Sequence, residues 1–192
     1  MIISQRISRG ACVDIGIPFR DLGAIGIGPL QSLVLSQPEE AWREQQYRQR
    51  AYDVHHQTES IVLIFCDNEW PNVSVQRETG WGRLAKEAAP IMDALIARCY
   101  APGGTILRAM AAKLKAGGRI KPHVDALPSF RAGHRIHVPL TTNPGVRFTV
   151  DGRPLIMEIG RAYEINNQKM HSVMNAGAED RITFIFDYVM RL

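Results

Sequence analysis

Residues 146–155 read VRFTVDGRPL, and this stretch decides the fold class. Asp151–Gly152 lies between two runs of strand-forming residues, which is a strong signal for a tight β-hairpin. Further short runs surround the hairpin and are separated by turn residues: TILRAMAAKLKAGG (105–118), RIHVPL (135–140), RAYEIN (161–166), HSVMN (171–175) and RITFIFDYVM (181–190). Several short strands joined by tight turns predict an antiparallel sandwich or barrel in the C-terminal half.

The N-terminal half has a different texture and predicts helices around a buried strand. Residues 1–35 are interpreted as strands and loops. Ser36 followed by Glu39 fits a capping box, and PEEAWREQQYRQRAYDV (38–54) then predicts a polar helix of about four turns. SIVLIFC (60–66) predicts a buried strand. Two further stretches predict one broken helix or two, with Pro90 suited to a first helical turn: GRLAKEA (82–88) and PIMDALIARCY (90–100).

These patterns predict one domain over residues 1–192. Residues 1–104 would supply N-terminal strands and supporting helices, and residues 105–192 the β core. The length is enough to bury a substantial apolar interior. Hydrophobic residues make up 45% of the chain and charged residues 22%, an ordinary globular balance that argues against wholesale disorder.

Location and membrane association are constrained by what the sequence lacks. No run approaches 18 uninterrupted apolar residues, and the first ten residues lack the apolar core of a secretory signal, so we expect no membrane span. The three scattered cysteines form neither a disulfide framework nor a C-x-x-C metal spacing. A cytoplasmic location is therefore expected.

Positive charge is concentrated in one part of the chain. The net charge of +4 is too small to predict nucleic-acid binding. Between Arg108 and Arg135, however, seven basic residues accompany a single acid, Asp125. This region favours anionic ligands, small carboxylates included, although a solvated basic face would explain the individual lysines equally well.

KPHVD (121–125) places His123 and Asp125 two positions apart, and His171 follows much later. In extended chain, residues i and i+2 point the same way, so His123 and Asp125 can converge on one point. Two imidazoles and one carboxylate on one face of an octahedral ion leave three positions open, the arrangement of non-haem Fe(II) oxygenases. The alternative is a chance pair of ordinary strand residues, because two-residue patterns are common.

Alternation along two strands predicts a polar side to the β core. In RITFIFDYV, Arg181, Thr183 and Asp187 share one face, whereas the aromatic residues belong to the other face and to the core. Arg135 and His137 share a face in the same way. A guanidinium is suited to bidentate binding of a carboxylate. The pattern fits a polar-lined cavity, and solvated outward positions would give the same pattern.

The segments HVD, RIHVPL, YEIN, HSVMN and RITFIFDYV together resemble the aspartyl/asparaginyl β-hydroxylase group of Fe(II)- and 2-oxoglutarate-dependent dioxygenases. The resemblance covers about residues 105–190. Its most specific elements are the R-x-H strand, the H-x-V-x-N run and the arginine ten positions past the distal histidine. It implies a mainly β fold with α elements, a double-stranded β-helix (a jelly-roll or cupin-like barrel) with supporting N-terminal helices.

The resemblance also implies roles for six residues. The Fe(II) ligands would be His123, Asp125 and His171. The co-substrate would contact Arg181 through its far carboxylate and His137 near its iron-proximal carboxylate, and Arg135 would line the co-substrate or substrate side. Asp125 is a difference from the animal members, which have no carboxylate at that position. This difference strengthens the iron assignment and weakens any transfer of their substrate to this protein.

The implied reaction consumes O₂ and 2-oxoglutarate, hydroxylates an unactivated C–H of an amino acid or of a residue in a peptide or protein, and releases succinate and CO₂. Two alternatives remain: a cupin-like metalloprotein of other chemistry, and a non-catalytic jelly-roll binding module whose histidines are core residues. Arg181 discriminates against the first, because a metalloenzyme that does not use 2-oxoglutarate needs no arginine at that spacing.

Overall fold

The computed structural model describes residues 3–6, 12–45, 57–67 and 69–190. In this part of the chain the helices are α1 (Gly28–Leu35), α2 (Glu39–Arg43), α3 (Thr79–Cys99) and α4 (Pro128–Arg131). The strands are β1 (Ile3–Arg6), β2 (Phe19–Ala24), β3 (Thr58–Cys66), β4 (Asn72–Arg77), β5 (Thr105–Leu114), β6 (Arg119–His123), β7 (His134–Pro139), β8 (Val146–Val150), β9 (Arg153–Leu155), β10 (Arg161–Ile165), β11 (His171–Asn175) and β12 (Arg181–Val189).

Two antiparallel sheets form the frame. The large sheet has the strand order β1-β4-β3-β5-β12-β7-β10-β2, and the small sheet the order β6-β11-β8-β9. Chain-distant strands are neighbours in both sheets, as in a jelly roll, which confirms the predicted double-stranded β-helix. Among the described residues no ladder joins the two sheets, so the barrel is two sheets and not a closed cylinder.

The predicted hairpin is present between β8 and β9. Val150 pairs with Arg153, and the two residues between them, Asp151 and Gly152, have φ angles of 53° and 71°. Positive φ at both central positions is the geometry that an Asp-Gly hairpin turn requires. The turn residues therefore fix the pairing of these strands locally.

The outer face of the large sheet packs against the helices. Phe184 and Phe186 of β12 join Ile136 of β7 in one buried apolar cluster with Leu84 and Leu95 of α3. The aromatic face predicted from the alternation in RITFIFDYV is thus the core face. The opposite face of β12 turns towards the small sheet.

A second apolar cluster lies between the two sheets. It includes Phe148 and Val150 of β8, Val173 of β11 and Ile165 of β10, so both sheets contribute to it. This cluster fills only part of the space between the sheets. The remainder is lined by polar side chains from β6, β7, β11 and β12 and forms the site described below.

The interpretation of residues 1–35 as strands and loops was wrong for α1. The helix begins at Gly28, carries a proline in its first turn, and buries Leu30 and Val34 four positions apart. A proline at that place is compatible with a helix start, because the first turn needs no amide donor. The apolar pair at i and i+4 supplies the packing that stabilises a short helix.

The predicted capping box and four-turn polar helix were also wrong where the structure describes them. Ser36 does not cap α2; it follows α1, and its hydroxyl donates to the carbonyl of Leu33. The α2 helix starts after Pro38 and ends at Arg43, and residues 46–54 of the predicted helix lie outside the described residues. The predicted capping box does not form because α1 extends to Leu35, and Ser36 therefore ends that helix.

Residues 79–99 form one continuous helix, so the prediction of one broken helix or two, with Pro90 in a first helical turn, was wrong. Pro90 lies exposed in its middle, while Leu84, Ala88, Ile91 and Leu95 are buried along one face. Burial of this apolar stripe against the sheet stabilises the helix by more than the missing amide hydrogen bond of Pro90 destabilises it. No helix in the described ranges is long and apolar enough to cross a bilayer.

Candidate metal centre

His123 and His171 face each other across neighbouring strands. They are directly paired residues of β6 and β11, and their ring centroids lie 4.3 Å apart. Asp125 follows β6, and its backbone N–H donates to the carbonyl of Asn167 at 3.1 Å. One ligand-type atom from each of the three residues lies within 4.8 Å of the others. The structure thus brings together the three residues that the sequence pattern predicted.

Both imidazoles are oriented by the same local contact. Nδ1 of His123 lies 2.8 Å from the carbonyl oxygen of Lys121, and Nδ1 of His171 lies 3.0 Å from that of Lys169. A neutral ring that donates from Nδ1 presents the lone pair of Nε2 to a metal, and such contacts fix the ring orientation. Burial lowers the pKa of His171, although the charge of Asp125 opposes this effect. A lowered pKa favours the neutral form that ligates metals.

The two oxygen atoms of Asp125 have different environments. Oδ1 lies 3.9 Å from Nε2 of His123. Oδ2 accepts a hydrogen bond from Nη1 of Arg135 at 2.5 Å. One oxygen therefore faces the histidines, and the other is held by a cation.

Arg135 is held on its other edge by Asp187. Its Nε and Nη2 donate to the two carboxylate oxygens of Asp187, each at 2.8 Å. Asp187 also pairs with Nη1 of Arg108 at 3.5 Å, and Nη2 of Arg108 donates to the hydroxyl of Ser129 at 2.7 Å. We call Arg108, Asp187, Arg135 and Asp125 the buried ion network. Burial raises the pKa of Asp187, but the two guanidinium groups outweigh burial, and the net shift is downward.

Arg181 lies buried on the inner face of β12. Its Nη2 lies 3.5 Å from the sulfur of Met157, and its guanidinium carbon lies 5.6 Å from the ring centre of Phe148. Within the described ranges no carboxylate pairs with it, and burial lowers its pKa to about 10. A buried cation without a counter-ion is costly unless a ligand supplies the charge.

His137 lies beside Arg181 in the same pocket. Its ring is buried, and neither of its nitrogens has a hydrogen-bond partner among the described residues. Burial, together with the positive charges of Arg181 and Arg135, holds the pKa of His137 well below its usual range. The ring is therefore neutral and has both a donor and an acceptor to offer a ligand.

These side chains line one pocket between the sheets. It encloses about 610 Å³ of space between atoms, open solvent at its mouth included. Its polar lining comes from three histidines, two arginines, a threonine, a lysine and a serine: His123, His137, His171, Arg135, Arg181, Thr58, Lys113 and Ser172. The predicted polar-lined cavity is present, and the polar faces of β7 and β12 point into it.

Sequence reasoning missed several residues that shape the site. Arg108 was counted only as part of a basic region, and Asp187 was placed on the polar face of RITFIFDYV. In the structure Asp187 binds Arg135 and Arg108. Lys121 and Lys169 act through backbone carbonyls, for which a sequence carries no signal.

Comparison with solved structures finds the same fold in an oxygenase and in hydroxylases. One is an oxidoreductase of the 2OG-Fe(II) oxygenase family from Burkholderia pseudomallei, with 14% identity, a TM-score of 0.56, and coverage of 85% of this chain and 90% of the other. Another is a Trichoplax adhaerens prolyl hydroxylase in complex with a hypoxia inducible factor peptide fragment, with 16% identity, a TM-score of 0.56, and coverage of 90% and 83%. Identities this low show a shared fold.

A third structure with this fold is the viral collagen prolyl hydroxylase of Paramecium Bursaria Chlorella virus-1 in its 2OG complex, with 10% identity, a TM-score of 0.54, and coverage of 92% of this chain and 98% of the other. No curated protein matches the chain. The sequence profile of the aspartyl/asparaginyl beta-hydroxylase family, in contrast, matches residues 31–191. Since that match spans most of the chain and includes every residue of the site, the protein belongs to the aspartyl/asparaginyl β-hydroxylase family.

Proposed function

We propose that the protein is an Fe(II)- and 2-oxoglutarate-dependent dioxygenase that hydroxylates an unactivated C–H of an amino acid or of a residue in a peptide or protein. The observation that carries this proposal is Arg181, a buried guanidinium without a carboxylate partner in the described chain, in the same pocket as His123 and His171. Membership of a hydroxylase family supports the reaction class.

The donor set fits Fe(II). Two neutral imidazole nitrogens and one carboxylate oxygen are the ligands of non-haem iron oxygenases, and here one such atom from each of the three residues lies within 4.8 Å of the others. His123 and His171 would bind through Nε2, and Asp125 through Oδ1. When bound, the iron would supply O₂ activation and the oxidising power needed to break a C–H bond.

The pocket also fits a dicarboxylate co-substrate. Arg181 would bind the far carboxylate of 2-oxoglutarate and so gain the negative partner that it lacks within the described chain. His137 would contact the carboxylate nearer the metal through one of its two unpartnered nitrogens. Phe148, Ile165 and Val173 provide apolar walls for the methylene groups between the two ends.

The substrate is an amino acid, free or within a polypeptide. Two solved structures of the same fold are prolyl hydroxylases, and one of them is a complex with a peptide fragment, so this fold accommodates peptide substrates. The basic residues between Arg108 and Arg135 favour an anionic substrate. Part of that charge is internally compensated, because Arg108 and Arg135 bind Asp187.

Thermal unfolding of the purified protein tests the proposal. We expect 2-oxoglutarate to raise the midpoint temperature only when Fe(II) or Mn(II) is present, since the co-substrate would contact both the metal and Arg181. The His171→Ala variant should lose this protection, and Arg153→Ala, which removes an exposed arginine of β9, should keep it. Equal protection in His171→Ala would rule out the site.

A succinate-release screen then identifies the substrate class. The protein, with Fe(II), ascorbate and 2-oxoglutarate, is incubated with free amino acids and with peptides. Substrate-stimulated succinate is expected for one of the two sets. Metal binding without any effect of 2-oxoglutarate on stability or turnover would instead support a cupin-like metalloprotein of other chemistry.

A further inference from the structure

We infer that Arg135 is a positioning residue that restricts Asp125 to coordination through a single oxygen, and that Asp187 and Arg108 fix Arg135 for this task. The inference deepens the proposed function and rests on the metal site that it contains. It assigns the buried ion network a role in the geometry of the metal centre, apart from any contribution to folding.

The planar shape of the guanidinium carries the first step. Asp187 occupies the edge formed by Nε and Nη2 of Arg135 with two hydrogen bonds of 2.8 Å. Because the group is rigid and planar, this bidentate contact fixes the direction of the remaining nitrogen, Nη1. Nη1 contacts Oδ2 of Asp125 at 2.5 Å. The orientation of the Asp125 carboxylate is therefore set by Asp187, which does not contact it directly.

The other end of the network keeps Asp187 in place. Nη1 of Arg108 pairs with Oδ2 of Asp187, and Nη2 of Arg108 donates to the hydroxyl of Ser129. The ring of Phe130 lies 4.0 Å from the guanidinium carbon of Arg108 and 4.6 Å from that of Arg135. The side chains of all four charged groups are at most 14% exposed, so solvent screens these contacts weakly.

The contact between Arg135 and Asp125 determines how many coordination positions on the metal stay open. With Oδ2 engaged by Arg135, Asp125 offers Oδ1 alone, so two histidines and one oxygen fill three positions of an octahedral ion. The three positions that remain would be open to the co-substrate and O₂. A carboxylate that chelated through both oxygens would take a fourth position and leave too few.

A simple salt-bridge role makes a different prediction. Buried ion pairs often add little net stability, and breaking them acts on the free energy of unfolding. A positioning role acts on metal affinity and on coordination geometry in a protein that is still folded. The matched control is Glu164→Gln, because Glu164 is also a buried carboxylate paired with an arginine. Its cross-strand partner Ile136 belongs to the core cluster on the helix-facing side of the large sheet, so Glu164 lies on that side as well.

The experiment compares wild type, Asp187→Asn, Arg135→Lys and Glu164→Gln. Folding is checked by circular dichroism, Mn(II) affinity is measured from the electron paramagnetic resonance signal of free Mn(II), and coordination number from the visible absorption of Co(II). We expect Asp187→Asn and Arg135→Lys to bind Mn(II) roughly 10- to 100-fold more weakly, the usual effect of losing a residue that orients a ligand. Their Co(II) bands should change, whereas Glu164→Gln should match wild type in both.

The outcomes distinguish failure of the proposed function from failure of the inference about Arg135. Wild type that binds neither Mn(II) nor Co(II) would overturn the proposed function. Wild-type binding with unchanged affinity and spectrum in the Asp187→Asn and Arg135→Lys variants would overturn the inference alone. If Asp187→Asn does not fold, Arg135→Lys decides, because it keeps a cation beside Asp187 and loses only the rigid fork.

Discussion

His123 and His171 are cross-strand partners whose rings are held in the same way, each with Nδ1 against the carbonyl of the residue two positions earlier in the chain. The ring centroids are 4.3 Å apart. Two residues that are distant in sequence are thereby held at the separation at which their Nε2 atoms can share one ion. The pairing of β6 with β11 creates the centre, and the loop after β6 adds Asp125.

The first prediction concerns this pair. His123→Ala and His171→Ala should each weaken Mn(II) binding by more than the roughly 10- to 100-fold typical of residues outside the ligand set, because each removes a ligand. Titration calorimetry or the free Mn(II) signal measures the change. His134→Gln is the control, since His134 is bound to Glu164 and should affect stability without affecting metal affinity. Full metal binding in either ligand variant would contradict the assignment.

A second prediction concerns Arg181. Arg181→Met should leave metal binding intact and weaken 2-oxoglutarate binding by about 2–5 kcal/mol, the usual cost of removing one partner of a buried charge pair. Without ligand, the same variant should be as stable as wild type or more stable, because a guanidinium without a carboxylate partner in the described chain no longer has to be buried. Urea unfolding and calorimetry measure the two effects, with Arg153→Met as the exposed-arginine control. A marked loss of apo stability would show instead that the arginine is structural.

The third prediction concerns how the free energy of unfolding changes as the pH becomes acidic. Burial raises the pKa of Glu164, but the hydrogen bond and charge of His134 and the charge of Arg20 outweigh it, so the net pKa lies below the ordinary value of 4.5. A carboxylate with a depressed pKa stabilises the folded state above its unfolded pKa, and this contribution is lost as pH falls through the folded pKa.

Wild type should therefore exceed Glu164→Gln in free energy of unfolding near neutral pH, and the difference should shrink as the pH falls below 4.5. Urea unfolding at a series of pH values measures it. A difference that is constant or grows towards acid would show that the carboxylate is not held in its charged form.

A fourth prediction concerns the middle of α3. Pro90→Ala should raise the free energy of unfolding by about 1–3 kcal/mol, because it restores an amide donor at an exposed position inside a continuous helix. Substrate-stimulated succinate release should be unchanged, since the helix lies on the far side of the large sheet from the pocket. Destabilisation would mean that α3 needs the bend that proline imposes.

Local sequence patterns predicted much of the fold and of the site. The Asp151–Gly152 turn was predictable because positive φ at two successive residues is a property of those residues themselves. The inward faces of Arg135, His137 and Arg181 followed from the two-residue period of a strand. The helical register around 28–43 was not predictable in the same way, because short helices depend on packing partners for their stability.

The sequence by itself determined which side chains share a strand face, where the tight turn lies, and which three residue types could bind iron, because each of these depends on backbone geometry over a few residues. Only the tertiary structure decided that β6 pairs with β11, that Arg135 is fixed between Asp187 and Asp125, and that Arg181 is buried without a carboxylate partner in the described chain. Those features join residues tens of positions apart. Their distances are set by sheet pairing and packing, which no local pattern contains.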